Sequence, residues 1–209
     1  MENAPTDSPA LIEVHDLTMA FGDFVLMRNL AFSIRKGQVF IIMGGSGSGK
    51  STLMRHLIGL LEPAGGDILY SGKSFVRASR KERIQMIRRF GVMYQSGALW
   101  TSLTLAENVA LPLEELSTFS KRQIRSIVAY KLALVGLAGF EDFYPSEISG
   151  GMAKRAGVAR ALALDPEVLY LDEPSAGLDP PSARRLDQLI LQLRDSLGMT
   201  VVVVSHELD

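Results

Sequence analysis

The run Gly44-Gly45-Ser46-Gly47-Ser48-Gly49-Lys50-Ser51 fits the spacing G-x-x-x-x-G-K-[ST]. Those residue types in that order suit one task, the gripping of a chain of phosphates. Phosphate oxygens need many N–H donors at close range, and glycines let the main chain approach and adopt positive φ. A helix starting at Lys50 adds its dipole and its unpaired first-turn N–H groups. Lys50 supplies a cation to the β and γ phosphates, and the hydroxyl of Ser51, which Thr52 follows, is suited to Mg²⁺. The competing reading is a flexible Gly/Ser linker. Linkers do not fall between a buried strand and a helix that opens on Gly49-Lys50-Ser51-Thr52. The loop implies a nucleoside triphosphate without naming the base. The chain has no Asn-Lys-x-Asp segment of the kind that reads guanine, which counts against a GTPase.

Further along, Val168-Leu169-Tyr170-Leu171-Asp172-Glu173 is an apolar strand ending in two acids. At the carboxyl edge of a parallel sheet, side chains face the ligand crevice. Asp172 is predicted to hold Mg²⁺, directly or through water. Glu173, one residue on, points elsewhere and can polarise the water that attacks the γ-phosphoryl group. Two solvated acids leading into Pro174 would be the bland alternative, and the phosphate loop upstream argues against it.

These groups need a scaffold that brings residues 44–52 and 172–173 together. Val39–Met43, Val168–Leu171 and Val201–Val204 are short, continuously apolar runs, each predicting a strand buried on both faces. Leu11–Val14, Leu26–Ile34, Ile68–Tyr70 and Gly91–Tyr94 read as further strands between turn signals. Helical spacing covers Lys50–Leu61, Ser79–Arg89, Leu103–Ala138, Met152–Leu164 and Ala183–Leu197, the last stopped by Gly198. Strands alternating with helices predict a mostly parallel α/β sheet. The Arg/Lys-dense stretch Ser79–Arg89 reads as a solvated helix face, because aromatics are not interleaved with its charges.

The bulk numbers agree. The 209 residues, 47% hydrophobic, can bury one sizeable core. A net charge of −1 offers no basic field for nucleic acid. With no cysteine, disulfides, Cys-ligated zinc and thiol nucleophiles are excluded. Met1–Pro9 lacks the layout of a signal peptide, and no apolar stretch approaches the roughly 20 residues that span a bilayer. The chain stops at Asp209 just after an apolar run, so the expectation is a domain truncated at its C-terminal end.

Between the loop and the acidic strand lies Glu147-Ile148-Ser149-Gly150-Gly151-Met152, ahead of a basic, alanine-rich helix. Taken with Gln95, Ser175-Ala176-Gly177-Leu178-Asp179 and His206 in that order, the chain resembles the ABC ATPase family over residues 10–209. The resemblance implies a P-loop NTPase core with a mostly parallel sheet, an N-terminal antiparallel β subdomain and a helical subdomain. Its expected extent is one domain over 1–209, with the core from 1–96 and 156–209 and the helical subdomain at 97–155. It implies ATP and Mg²⁺ as ligands, and a head-to-tail homodimer with each ATP between one phosphate loop and the other copy's signature. Ser149, Gly150 and Gly151 would then serve the partner's γ-phosphate. Gln95 would sense Mg²⁺ and the attacking water, Asp179 would lie at the dimer seam, and His206 would contact the γ-phosphate. Phe21 falls where the family stacks an aromatic on adenine; a core Phe is the alternative.

The signature departs from the family's Leu-Ser-Gly-Gly-Gln at Ile148 and Met152, and Met152 cannot hydrogen-bond as Gln does. Ser149–Arg155 and Tyr94-Gln95-Ser96-Gly97-Ala98-Leu99-Trp100 are similar to the lipid-trafficking branch, the Mla, toluene-tolerance and Mce-associated ATPases. That branch implies a transmembrane permease and an envelope lipid-binding protein as partners. It puts the chain on the cytoplasmic face of the inner membrane, held there by the permease. Leu99 and Trp100 would line a groove for a permease helix, with lobe core as the other reading of Trp100. Rival readings are a soluble ABC ATPase without a permease and a module that keeps ATP as a structural ligand.

Overall fold

Two long alternating strands open the fold of this computed structural model, which describes residues 10–95 and 97–206. Ser96 and the last residues of the chain, named in the expectations above, lie outside them. β1 (Ala10–Phe21) and β2 (Phe24–Arg35) form an antiparallel hairpin across Gly22-Asp23. β1 runs well past Leu11–Val14. Register shifts near Asp16 (φ 48°) and Asn29 (φ 55°) break the two-residue period there while the ladder continues. β3 (Val39–Met43) leads into α1 (Lys50–Leu57), which stops short of Leu61 where Gly59 turns left-handed at φ 78°. β4 (Gly65–Tyr70), β5 (Lys73–Ser74), α2 (Arg80–Ile87) and β6 (Phe90–Met93) follow. α3 (Leu105–Leu116), α4 (Lys121–Leu134), a 3-10 turn at Pro145–Glu147 and α5 (Gly150–Ala161) make a helical stretch. β7 (Val168–Asp172), α6 (Pro180–Leu197) and β8 (Thr200–Ser205) complete the described chain.

The strands form two sheets. One is antiparallel, in the order β2-β1-β4-β5, and the other is parallel, in the order β3-β8-β7-β6. The period of two along β7 and β8 divides the core. Val168, Tyr170, Val202 and Val204 pack with α1 and the antiparallel sheet. Leu169, Leu171 and Val201 pack on the opposite face, with α3 to α6. The parallel sheet is thus the middle of three layers. Expectation and structure agree on β7, all five of whose residues are buried. They disagree on β3: Ile41 is 52% and Met43 44% exposed. β3 is an edge strand bonded only to β8, and among the described residues the face carrying Ile41 and Met43 has no covering layer.

Side-chain capping marks where the helices begin. Ser79, Thr104 and Ser120 each form a capping box with the Glu or Gln three residues on, and Ser149 and Asp179 accept from Met152 N and Ser182 N. α1 is the exception among the described α-helices. Its N-cap is Gly49, at φ 91°, with no side-chain cap.

Candidate functional site

The uncapped start of α1 lies behind the glycine loop, so its first N–H groups have no side-chain acceptor. At two positions the loop has little room for a side chain. A Cβ on Gly44 (φ 158°) would sit 2.7 Å from Ser48 Oγ, and one on Gly49 would sit 2.8 Å from Leu26 Cδ2 of β2. Gly47 takes φ 76°. Gly45, Ser46 and Ser48 form the intervening turn, with Ser48 N donating to Gly45 O at 3.2 Å. Lys50 is buried, and its Nζ donates to Gly44 O at 2.6 Å and Gly45 O at 2.8 Å. The result is an N–H-rich cradle with one fixed cation, which fits a polyphosphate.

β7 ends beside this cradle. Ser51 Oγ donates to Asp172 Oδ1 at 3.1 Å, joining two residues 121 positions apart. A hydroxyl and a carboxylate are hard oxygen donors of the kind Mg²⁺ takes, with phosphate oxygens and water completing its shell. Among the described residues no group of three or more His, Cys, Asp or Glu forms an all-protein metal cage. Glu173 adopts φ 50°, a left-handed conformation uncommon outside glycine, and its N–H donates to Val204 O. Its carboxylate therefore leaves the Asp172 side and meets two other predicted residues. Gln95 Nε2 donates to Glu173 Oε2 at 2.8 Å, and His206 Nε2 pairs with Glu173 Oε1. Gln95 follows β6 and His206 follows β8, the two neighbours of β7, so sheet order alone brings these three together.

The other predicted residues stand apart from that centre. Ser149 caps α5, accepting from Met152 N at 3.3 Å, and Gly150 and Gly151 begin the helix. Ser149 and Gly150 are exposed, and Met152 turns inward against the helical core. Asp179 caps α6. Hydrogen bonds from Ser182 hold its carboxyl below the usual carboxylate range. Phe21 is 51% exposed at the tip of the β1–β2 hairpin, outside both core clusters, so the core-Phe alternative fails. Trp100 is 62% exposed, which likewise removes lobe core as its reading. Thr52 lies half-buried in α1.

Sequence reasoning missed several residues that build the site. Lys154 of α5, 8% exposed, donates to the carbonyls of Gln95 and Glu173. Burial lowers its proton affinity, against the pull of Glu173 and Asp172. Arg160 donates to Ala98 O at 2.7 Å and Gly97 O at 3.0 Å. Asn108, fully buried on α3, accepts from Trp100 N and donates to the carbonyls of Trp100, Leu103 and Thr104. The only signal in the chain is a charge or amide set in a helix face otherwise apolar or small.

Known proteins are similar to this chain in sequence and in fold. Residues 27–176 match the ABC transporter family. The Haemophilus influenzae intermembrane phospholipid transport system ATP-binding protein MlaF is 44% identical over 199 residues, covering 95% of this chain and 75% of that protein. The "Probable ribonucleotide transport ATP-binding protein mkl" of Mycobacterium tuberculosis is 44% identical over 198 residues, 95% of this chain. The chain spans only 55% of the length of that relative. Among solved structures, cbiO1 from Clostridium perfringens, part of the ABC transporter complex cbiONQ, superposes with a TM-score of 0.88 at 29% identity, over 96% of this chain and 80% of that one. A dimeric ATP-binding cassette in a post-hydrolysis state, bound to ADP and Pi, gives 0.83 at 30% identity, over 94% and 88%. Matched in sequence and in fold over most of its length, the chain belongs to the ABC transporter family.

Proposed function

We propose that this chain binds ATP with Mg²⁺ and hydrolyses it as one of two copies paired head to tail, and that the pair drives a membrane transporter of phospholipid. The observation that carries the reading is the convergence on one sheet edge of an uncapped helix N-terminus with Lys50, the Ser51–Asp172 pair and the Gln95–Glu173–His206 cluster. The loop N–H groups and Lys50 bind the triphosphate and hold its γ-phosphoryl group toward the end of β7. Phe21 offers an exposed ring to the base. Ser51 and Asp172 would hold Mg²⁺, which would supply neutralisation of the phosphate charge. Glu173 accepts the proton of a water oriented by Gln95, and His206 donates toward the γ-phosphate. The exposed Ser149 and Gly150, with the half-buried Gly151, have the start of α5 to offer the ATP of a second copy, and Asp179 lies on the same seam.

Membrane coupling is the second half of the reading. No helix of the described residues is long and apolar enough to cross a membrane. Trp100, held outward by Asn108, and the neighbouring Leu99 supply a surface for a permease helix on the cytoplasmic side of the inner membrane. An envelope lipid-binding protein would complete the system. The MlaF relative supports phospholipid as cargo. The name of the mkl relative supports ribonucleotide as a second reading, and nothing in this site touches cargo. In the reconstituted transporter, ATP-dependent transfer of phospholipid between vesicles is the expected result; transfer of ribonucleotide alone would decide for the second reading. For the chemistry, Glu173→Gln is expected to bind ATP with unchanged affinity and to lose at least a hundredfold in phosphate release, the scale of general-base catalysis. Undiminished release would overturn the assignment.

A further inference from the structure

α5 carries the exposed Gly150 and the half-buried Gly151 at its start and, one turn further, a buried lysine. Burying an ammonium is costly unless it is paired or hydrogen-bonded, and an apolar side chain of the same length would fill the space without that penalty. What Lys154 bonds is therefore the clue to its use. Its Nζ donates to the main-chain oxygen of Gln95 and, at 3.4 Å, to that of Glu173. Gln95 Nε2 in turn donates to Glu173 Oε2 at 2.8 Å, which closes a ring of three residues. The segment after Gln95 also rests on α5. Arg160 holds the carbonyls of Gly97 and Ala98, and a Cβ on Gly157 would come within 3.1 Å of Gly97 O. One helix thus carries the exposed glycine start at one end and the supports of the Gln95 segment along its side.

We infer that Lys154 is a positioning residue that aligns the backbones of Gln95 and Glu173 and makes that alignment depend on where α5 sits. A shift of α5 against the parallel sheet, as when its N-terminus takes up a phosphate, moves both carbonyls through a single ammonium. The inference rests on the reading of Gln95 and Glu173 as the residues that handle the attacking water.

The test uses the full chain and three readouts: steady-state ATP hydrolysis, affinity for a fluorescent trinitrophenyl-ATP, and Tm. Lys154→Met keeps the length and removes the charge, and Lys154→Arg keeps a charge. The expected result for Lys154→Met is a kcat at least tenfold lower with KM and nucleotide affinity within twofold, and partial recovery of kcat in Lys154→Arg. In a Gln95→Ala background the same substitution is expected to lower kcat by no more than about half as many orders of magnitude, since one of the two residues it aligns is already gone. Lys154→Gln is the second neutral variant and carries the test if Lys154→Met does not fold. A folded neutral variant with kcat within twofold of the parent overturns the inference. So do losses that multiply fully in the double variant, or that fall equally on kcat and affinity. Failure of the underlying site reading has a different signature, namely Glu173→Gln retaining turnover whatever Lys154 does.

Discussion

Lys50 illustrates how one side chain depends on the backbone around it. Buried and bonded to Gly44 O and Gly45 O, it is held inside the cradle rather than waving above it. Lys50→Ala is expected to raise the Kd for ATP at least tenfold, about 1.4 kcal/mol, measured by fluorescence titration; intact affinity would contradict the phosphate role. His56 is a residue of another kind. It is 2% exposed on α1, its Nδ1 bonds Leu61 O, and its Nε2 is buried without a partner. Burial lowers its pKa from 6.5, against the bond to Leu61 and the charge of Glu62. Below 6.5 the unfolded chain takes up a proton that the folded chain resists, so stability is full above that pH and is lost as pH falls through it. Tm is expected to drop between pH 7.5 and 5.5, and the drop to be shallower in His56→Gln. An unchanged slope in that variant would assign the loss to other groups.

At the scale of elements, the loop after β6 shows a buried polar residue shaping a surface. Asn108 uses its amide on four main-chain groups of residues 100–104, and so presents Trp100 to solvent. Asn108→Ala would leave buried N–H and C=O groups unpaired, at about 1–3 kcal/mol. The expected readouts are a lower Tm and faster amide exchange confined to residues 97–104, with nucleotide affinity retained. Exchange that rises uniformly over the chain would instead mean that the loop has no separate support. α5 works similarly for the Gln95 segment. Its end also meets β6 backbone to backbone at Gly91, where a Cβ would lie 2.2 Å from Ala161 O.

The whole molecule joins its layers through the middle sheet. Tyr170 of β7 bonds the hydroxyl of Tyr70 on β4, which donates to Leu57 O at the end of α1. Both phenols are buried, and that burial raises their pKa values. A strand that ends in the acids Asp172 and Glu173 is thereby locked to the antiparallel sheet and to the helix behind the glycine loop. The signature, in contrast, faces solvent. If each ATP is shared between two copies, hydrolysis per molecule is expected to rise with protein concentration before levelling, and Glu173→Gln with ATP is expected to elute as a dimer. A concentration-independent rate from a monomeric peak would rule the shared site out.

How much of this was legible in the chain follows from which groups act through local spacing. The phosphate loop, Ser51 and the Asp172–Glu173 strand end are contiguous patterns, and the chemistry of each is readable where it stands. The strands of the parallel sheet were readable from their apolar runs, because burial leaves little choice of residue. β3's exposed face was not, since an apolar run looks the same at the edge of a sheet as at its centre. β1 outran its alternation because bulges at Asp16 and Asn29 shift the period without ending the ladder. The sequence by itself determined the chemistry on offer: a phosphate cradle, a cation, two acids and a glycine-led helix. Only the tertiary structure decided that Gln95 and His206 close on Glu173, and that Lys154 ties them to α5. Those contacts span 78, 33, 59 and 19 positions along the chain. No local pattern encodes such distances; sheet order and helix packing do.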